Sequence, residues 1–184
     1  MATTLGNLGC VLSDMGQFRQ GMEIFHEAIA LMRETGNRLG EANCLHNMGI
    51  GACAMGRYRQ ALDWLGQALE LYRESGNEDH QTFVLSPIGL SLSWLGEHDR
   101  AAATVAKAVA LAEQTGANRR LAPAINVLGT LATERGDYEE AAREFRRAQT
   151  LAREIGDWGE ETATPPARGS TRRCGSWKRP SSPR

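Results

Sequence analysis

RLGEANCLHNMGIGACAMGRYRQALDWLGQALELYRESGN, residues 38–77, holds two apolar series at helical spacing, each ended by a glycine. Leu45 and Met48 lie on one side of a first helix that stops at Met55-Gly56. Leu65, Ala68 and Leu71 lie on one side of a second, which runs to Ser75-Gly76-Asn77. Glycine can take the left-handed conformation that closes a helix, so both stops have a mechanism. The connections are short, and short connections force antiparallel neighbours. The stretch reads as a helical hairpin, helix A followed by helix B.

The hairpin recurs with a period of 40. Gly9, Gly49, Gly89 and Gly129 repeat at that step, as do Gly16, Gly56, Gly96 and Gly136, and then Gly36, Gly76, Gly116 and Gly156. Apolar columns keep the same register: Leu5, Leu45, Leu85, Ile125; Leu8, Met48, Ile88, Leu128; Phe25, Leu65, Val105, Phe145; Leu31, Leu71, Leu111, Leu151. A fixed period in the range of 20 to 50 residues marks a repeat array and changes the meaning of every local motif. Small residues at Gly9 and its equivalents, at Gly21, Ala61, Ala101 and Ala141, and at Ala28, Ala68, Ala108 and Ala148 show where backbones approach. Four units are expected, at about 1–37, 38–77, 78–117 and 118–157, forming an array over 1–157.

The pattern Leu5-x-x-Leu8-Gly9-x-x-Leu12, followed by Gly21-x-x-x-Phe25-x-x-Ala28, resembles the tetratricopeptide (TPR) motif. The large aromatic that opens that motif is Leu or Ile here, and the proline that closes helix B is missing. Ala68–Asn77 and Leu45–Gly49 are similar to the long repeats of bacterial signalling regulators and kinesin light chains. The resemblance implies an all-α, right-handed superhelical solenoid of antiparallel helix pairs, with the A helices lining its concave face. It also implies a partner that is a protein or peptide.

On helix A, the positions turned away from Leu5, Leu8, Gly9 and Leu12 differ from copy to copy. They supply the expected partner-binding set of Asn7, His46, Asn47, Ile50, Phe83, Leu90, Trp94, Asn126 and Thr130. Asn7 and Asn47 match a position where the resemblance implies an amide bonded to a peptide backbone, and Asn carries both donor and acceptor for it. The alternative is that the two amides bond only within the helix pair. Phe83, Leu90 and Trp94 are expected as apolar anchors. Pro87 stands well inside a helix A, where proline costs about 3 kcal/mol, so a kink or a late start is expected.

Composition narrows the alternatives. The chain has 184 residues, 41% of them hydrophobic, and a formal charge of −1. Six of the 21 basic residues, and none of the 22 acidic ones, fall after residue 163, so the repeats themselves are net acidic. That sign disfavours nucleic acid as their partner. No apolar run reaches the length of a membrane span and the first residues lack a secretory pattern, so a cytoplasmic location without membrane contact is expected. Cys10, Cys44, Cys53 and Cys174 have no metal-ligand or disulfide spacing, which implies neither metal nor cofactor. Gly49-x-Gly51-x-x-Ala54 fits a dinucleotide fingerprint by letters, but it lies within a helix instead of following a strand. No nucleophile has a visible base, so no catalytic residue is expected and the chain does not read as an enzyme.

Asp157–Ala163 would enter a fifth helix A, which Pro165-Pro166 would abort, and residues 158–184 are expected to end in a disordered basic Pro/Ser/Arg tail. That abrupt change suggests a fragment or a frame-shifted copy of a longer array. An uncapped last helix B would favour self-association through Phe145, Ala148, Leu151 and Ala152. The functional expectation is a protein-interaction scaffold. The alternative is an effector-sensing segment of a larger bacterial transcriptional or ATP-dependent signalling regulator.

Overall fold

A computed structural model describes residues 1–154; the expected fifth helix and basic tail lie outside the described residues. Every regular element described is an α-helix: α1 (Ala2–Asp14), α2 (Phe18–Glu34), α3 (Arg38–Ala54), α4 (Tyr58–Glu74), α5 (Glu78–Trp94), α6 (His98–Thr115), α7 (Asn118–Arg135) and α8 (Tyr138–Glu154). Odd-numbered helices are the A helices of the sequence pattern, and even-numbered ones the B helices. The all-α repeat fold expected from the sequence is therefore present. Among the described residues, the chain divides within α4 into two compact units, Met1–Ala68 and residues 69–154.

All seven described turns close in the same way. At the first, Gly16 N–H donates to Ser13 O at 2.9 Å and Gln17 N–H reaches back to Leu12 O at 2.8 Å. This paired closure satisfies the last carbonyls of the helix and needs a left-handed residue between the two bonds. Gly16, Gly36, Gly56, Gly76, Gly96, Gly116 and Gly136 supply it, with φ from 65° to 83°. A residue with a Cβ pays about 1–2 kcal/mol to adopt that conformation. Gly56→Ala is therefore expected to lower stability by about 1 kcal/mol, read as a shift in the guanidinium midpoint.

Within each hairpin the glycine on helix A is a contact point. A Cβ on Gly49 would fall 2.5 Å from Leu65 Cγ, and one on Gly9 would fall 2.6 Å from the Phe25 ring. In the second unit the same holds for Gly89 against Val105, at 2.2 Å, and for Gly129 against Phe145, at 2.7 Å. The alanine columns lie opposite: Ala28, Ala61, Ala68, Ala101 and Ala108 are fully buried. Hairpins also join to their neighbours. In the first unit, Glu41 in the opening turn of α3 is buried and accepts bonds from Arg33 Nε at 2.6 Å and Arg38 Nη1 at 3.1 Å. A carboxylate there also complements the positive end of the helix dipole.

Two expectations change. Leu8 belongs to the packing column, yet it is 44% exposed, with Val11 and Met15 exposed beside it. Its equivalent Met48 is fully buried because α3 packs against both α2 and α4, whereas α1 has no helix B before it among the described residues. Pro87 causes no late start: α5 begins at Glu78, capped by Asn77 Oδ1, which accepts from His80 N–H at 3.1 Å. The helix continues through the proline to Trp94. Pro87 is buried, and its carbonyl accepts the hydroxyl of Ser91, one turn further along the same helix, at 2.8 Å.

Candidate functional site

The A helices of the first unit flank an open cavity of about 270 Å³ between α1 and α3, with Met32 from the end of α2 in its lining. Asn7, Asn43 and Asn47 line it together with Thr3, Cys10, Leu39 and Cys44. None of its lining side chains is an acid or a base. It exists because Gly6 has no side chain: a Cβ there would already stand 3.3 Å from Cys44 Sγ. Asn7 is exposed at the rim, and Asn47 donates from Nδ2 to Cys10 Sγ at 3.2 Å. The bond of Asn47 thus crosses to the neighbouring A helix, outside its own hairpin. Ile50 is half-buried, whereas His46, expected to face a partner, is only 3% exposed and has no surface to offer.

The two thiols of the cavity are held in their protonated form. Burial pushes Cys44 up to about 11 from the ordinary 9.0, with Cys10 adding to the rise. Burial also raises Cys10, and the Asp14 carboxylate adds to it. A thiol that holds its proton more tightly when folded stabilises the fold below its unfolded pKa, and that stability is lost as pH rises through the folded one. The guanidinium midpoint is expected to fall as pH rises from 9.0 toward about 11. Cys44→Ser should flatten that fall.

In the second unit, the A-helix surface of α5 and α7 carries a mixed patch. Phe83 is 41% exposed, with the Arg120 guanidinium 4.2 Å above its ring. Arg120 also bonds the Asp79 carboxylate at 3.4 Å. Trp94 is half-buried, Asn126 is exposed, and the Thr130 hydroxyl donates to the Asn126 carbonyl at 3.0 Å. Leu90, expected as an anchor, is 7% exposed and belongs to the core. Phe83 and Trp94 therefore remain as surface aromatics, while Leu90 does not join them.

Arg120 and Asp79 were not in the expected set. The available signal was their spacing of 41, one period plus one, which places a residue beside its counterpart on the next A helix. Ser93 and Glu134 show the same offset and are hydrogen-bonded. Ser93 also stands 3.4 Å from His98 Nδ1. This cluster is not built as a catalytic triad, because the acid and the imidazole both address the hydroxyl instead of forming a chain through the imidazole. Ser93 is also 1% exposed, out of reach of a substrate. Among the described residues, no three His, Cys, Asp or Glu side chains converge as metal ligands, and no helix is long and apolar enough to cross a membrane.

No curated protein sequence matches the chain. Solved structures do. BtubC (BKLC) from P. vanneervenii is 18% identical, with a TM-score of 0.71 over 98% of this chain and 71% of that one. A Rap protein complexed with competence and sporulation factor is 19% identical, with a TM-score of 0.76 over 85% of this chain and 44% of that one. The TPR-like repeats of a Podosopora anserina kinesin light chain give 13% and 0.67, over 85% of this chain and 76% of that one. At such identities the likeness is one of fold. The tetratricopeptide repeat family model matches residues 1–74 and 82–154, and the chain belongs to that family.

Proposed function

We propose that the chain is a protein-interaction module that takes an extended peptide on the A-helix face. The observation that carries this reading is the uncharged cavity between α1 and α3, with four asparagines, Asn7, Asn37, Asn43 and Asn47, on its wall. An extended peptide exposes N–H and C=O groups that need partners when covered, and an amide side chain offers both a donor and an acceptor. A site without acid or base suits backbone capture better than recognition of a charged side chain. In the second unit, Phe83 and Trp94 would offer apolar contact to a ligand of that unit.

The test is selection of a random peptide display library on the immobilised protein, followed by titration of the enriched peptides. Each hydrogen bond lost from the site should cost about 1 kcal/mol, so Asn7→Ala and Asn47→Ala should each weaken binding by roughly five- to tenfold. Equal enrichment on the doubly substituted protein, or no saturable binding at all, would refute the reading.

A second reading, an effector-sensing segment of a larger bacterial transcriptional or ATP-dependent signalling regulator, draws support from the similar Rap protein complexed with competence and sporulation factor. It requires that peptide capture alter the activity of a further domain in a longer chain. Peptide binding with no such change would leave the first reading standing and dismiss the second.

A further inference from the structure

Three sulfur-bearing residues on three different helices line the cavity of the first unit. Cys10 comes from α1, Met32 from the last turns of α2, and Cys44 from α3. Cys44 Sγ and Met32 Sδ are 3.8 Å apart. Two sulfurs bound to one ion at about 2.3 Å in trigonal or tetrahedral geometry lie roughly 3.8–4.0 Å from each other. Gly6 leaves the space open, since its Cβ would meet Cys44 Sγ at 3.3 Å and Met32 Cε at 3.7 Å. Met32 and Cys44 are buried, while Cys10 is half-exposed and gives a way in from solvent.

Sulfur in a core is often there only to fill space. The repeat supplies a control for that explanation. The equivalents of Cys10 are Ile50, Leu90 and Thr130; those of Cys44 are Thr4, Val84 and Ala124; those of Met32 are Tyr72, Ala112 and Ala152. Each column has sulfur in one copy alone, Cys10 and Met32 in the first and Cys44 in the second, and these three line the same cavity.

We propose that Cys10, Met32 and Cys44 form a binding site for a soft monovalent cation of the copper(I) class. Thiolate and thioether are the donors that select such an ion, and no carboxylate or imidazole lines the cavity to serve a harder one. Zinc would ask for a fourth nitrogen or sulfur ligand that the lining does not contain. On binding, two S–H bonds give way to two metal–sulfur bonds and the thioether adds its lone pair. Two protons leave to solvent and no oxidation state changes. The Asn47 amide, already donating to Cys10 Sγ at 3.2 Å, would orient that ligand and stabilise its negative charge.

The full chain, reduced and kept anaerobic, is titrated with copper(I) against the chromophoric chelator bathocuproine disulfonate. One equivalent should move from chelator to protein. Cys10→Ser and Cys44→Ser should each cost at least roughly a hundredfold in affinity, and Met32→Leu about tenfold. Cys53→Ser and Cys174→Ser should bind as the parent does. X-ray absorption should show only sulfur ligands, at about 2.3 Å. Helical circular dichroism checks that each variant folds; if Cys44→Ser does not, the half-exposed Cys10 position decides. Failure of the parent to take copper from the chelator overturns the site. So does retention of full affinity in Cys10→Ser, or a loss that follows Cys53 or Cys174. The peptide reading is tested separately, by Asn7→Ala and Asn47→Ala on the metal-free protein, so failure of the metal site and failure of that reading are distinguishable.

Discussion

Gly89→Leu is expected to lower stability by about 3 kcal/mol, the largest effect of any single substitution on the helix pairs. The reason is distance. A Cβ at Gly89 would already lie 2.2 Å from Val105 Cγ2 and 3.3 Å from the carbonyl oxygen of Ala101. Val105 is fully buried and branched at Cβ, so it has no rotamer into which it can retreat without meeting another neighbour. The backbone at Ala101 is part of α6 and moves only with that helix. A better intrinsic helix former than glycine returns at most about 1 kcal/mol, which is less than the clash costs. Gly66→Ala makes the control. Gly66 also lies inside a helix, yet nothing stands within 4 Å of its added Cβ. That change should raise stability by about 0.5–1 kcal/mol, because only the helix propensity differs. Guanidinium midpoints measured on both variants separate close packing from propensity. If Gly89→Leu proves neutral, the hairpins are not held at the spacing described.

The difference between these two glycines was legible before any coordinates, since Gly89 belongs to a column with a period of 40 and Gly66 does not. The helices and the turns were legible for the same reason: Gly16 and Gly36 each end an apolar series, and both adopt positive φ. The candidate site was read less well, and the errors have one physical origin. Helical periodicity in a single chain separates a packed side from an open one. An A helix inside an array has three occupied sides, because it packs on its own B helix, on the preceding B helix and on the neighbouring A helices. His46 and Leu90 were assigned to the open side and are buried. Leu8 shows the opposite error: it has the residue type of the packed column but sits on a helix with one side uncovered. What a residue touches in an array depends on where its unit stands. The pairs Asp79–Arg120 and Ser93–Glu134 could have been found only by searching offsets near one full period.

Filling the cavity between α1 and α3 should abolish peptide capture while leaving the hairpins folded. Gly6→Leu is the substitution that does this, because Gly6 lines the cavity from α1 and has no side chain of its own. The expected loss is about a hundredfold or more in affinity for any peptide that depends on Asn7 and Asn47, since a bulky side chain denies the ligand close approach to both amides. Gly6→Ala sets the baseline. Its methyl would lie 3.3 Å from Cys44 Sγ and 3.7 Å from Met32 Cε, the flexible ends of two side chains that can shift by a few tenths of an ångström. Removing a glycine from a helix interior offsets that shift, so Gly6→Ala should bind peptide nearly as the parent does and melt no lower. The two variants change the same atom position, so a difference between them reports the volume of the cavity and not the integrity of α1. Equal affinity in Gly6→Leu and the parent, with the helical signal unchanged, would place the ligand elsewhere and shift attention to the Phe83 and Trp94 surface of the second unit, where Phe83→Ala would then become the deciding substitution.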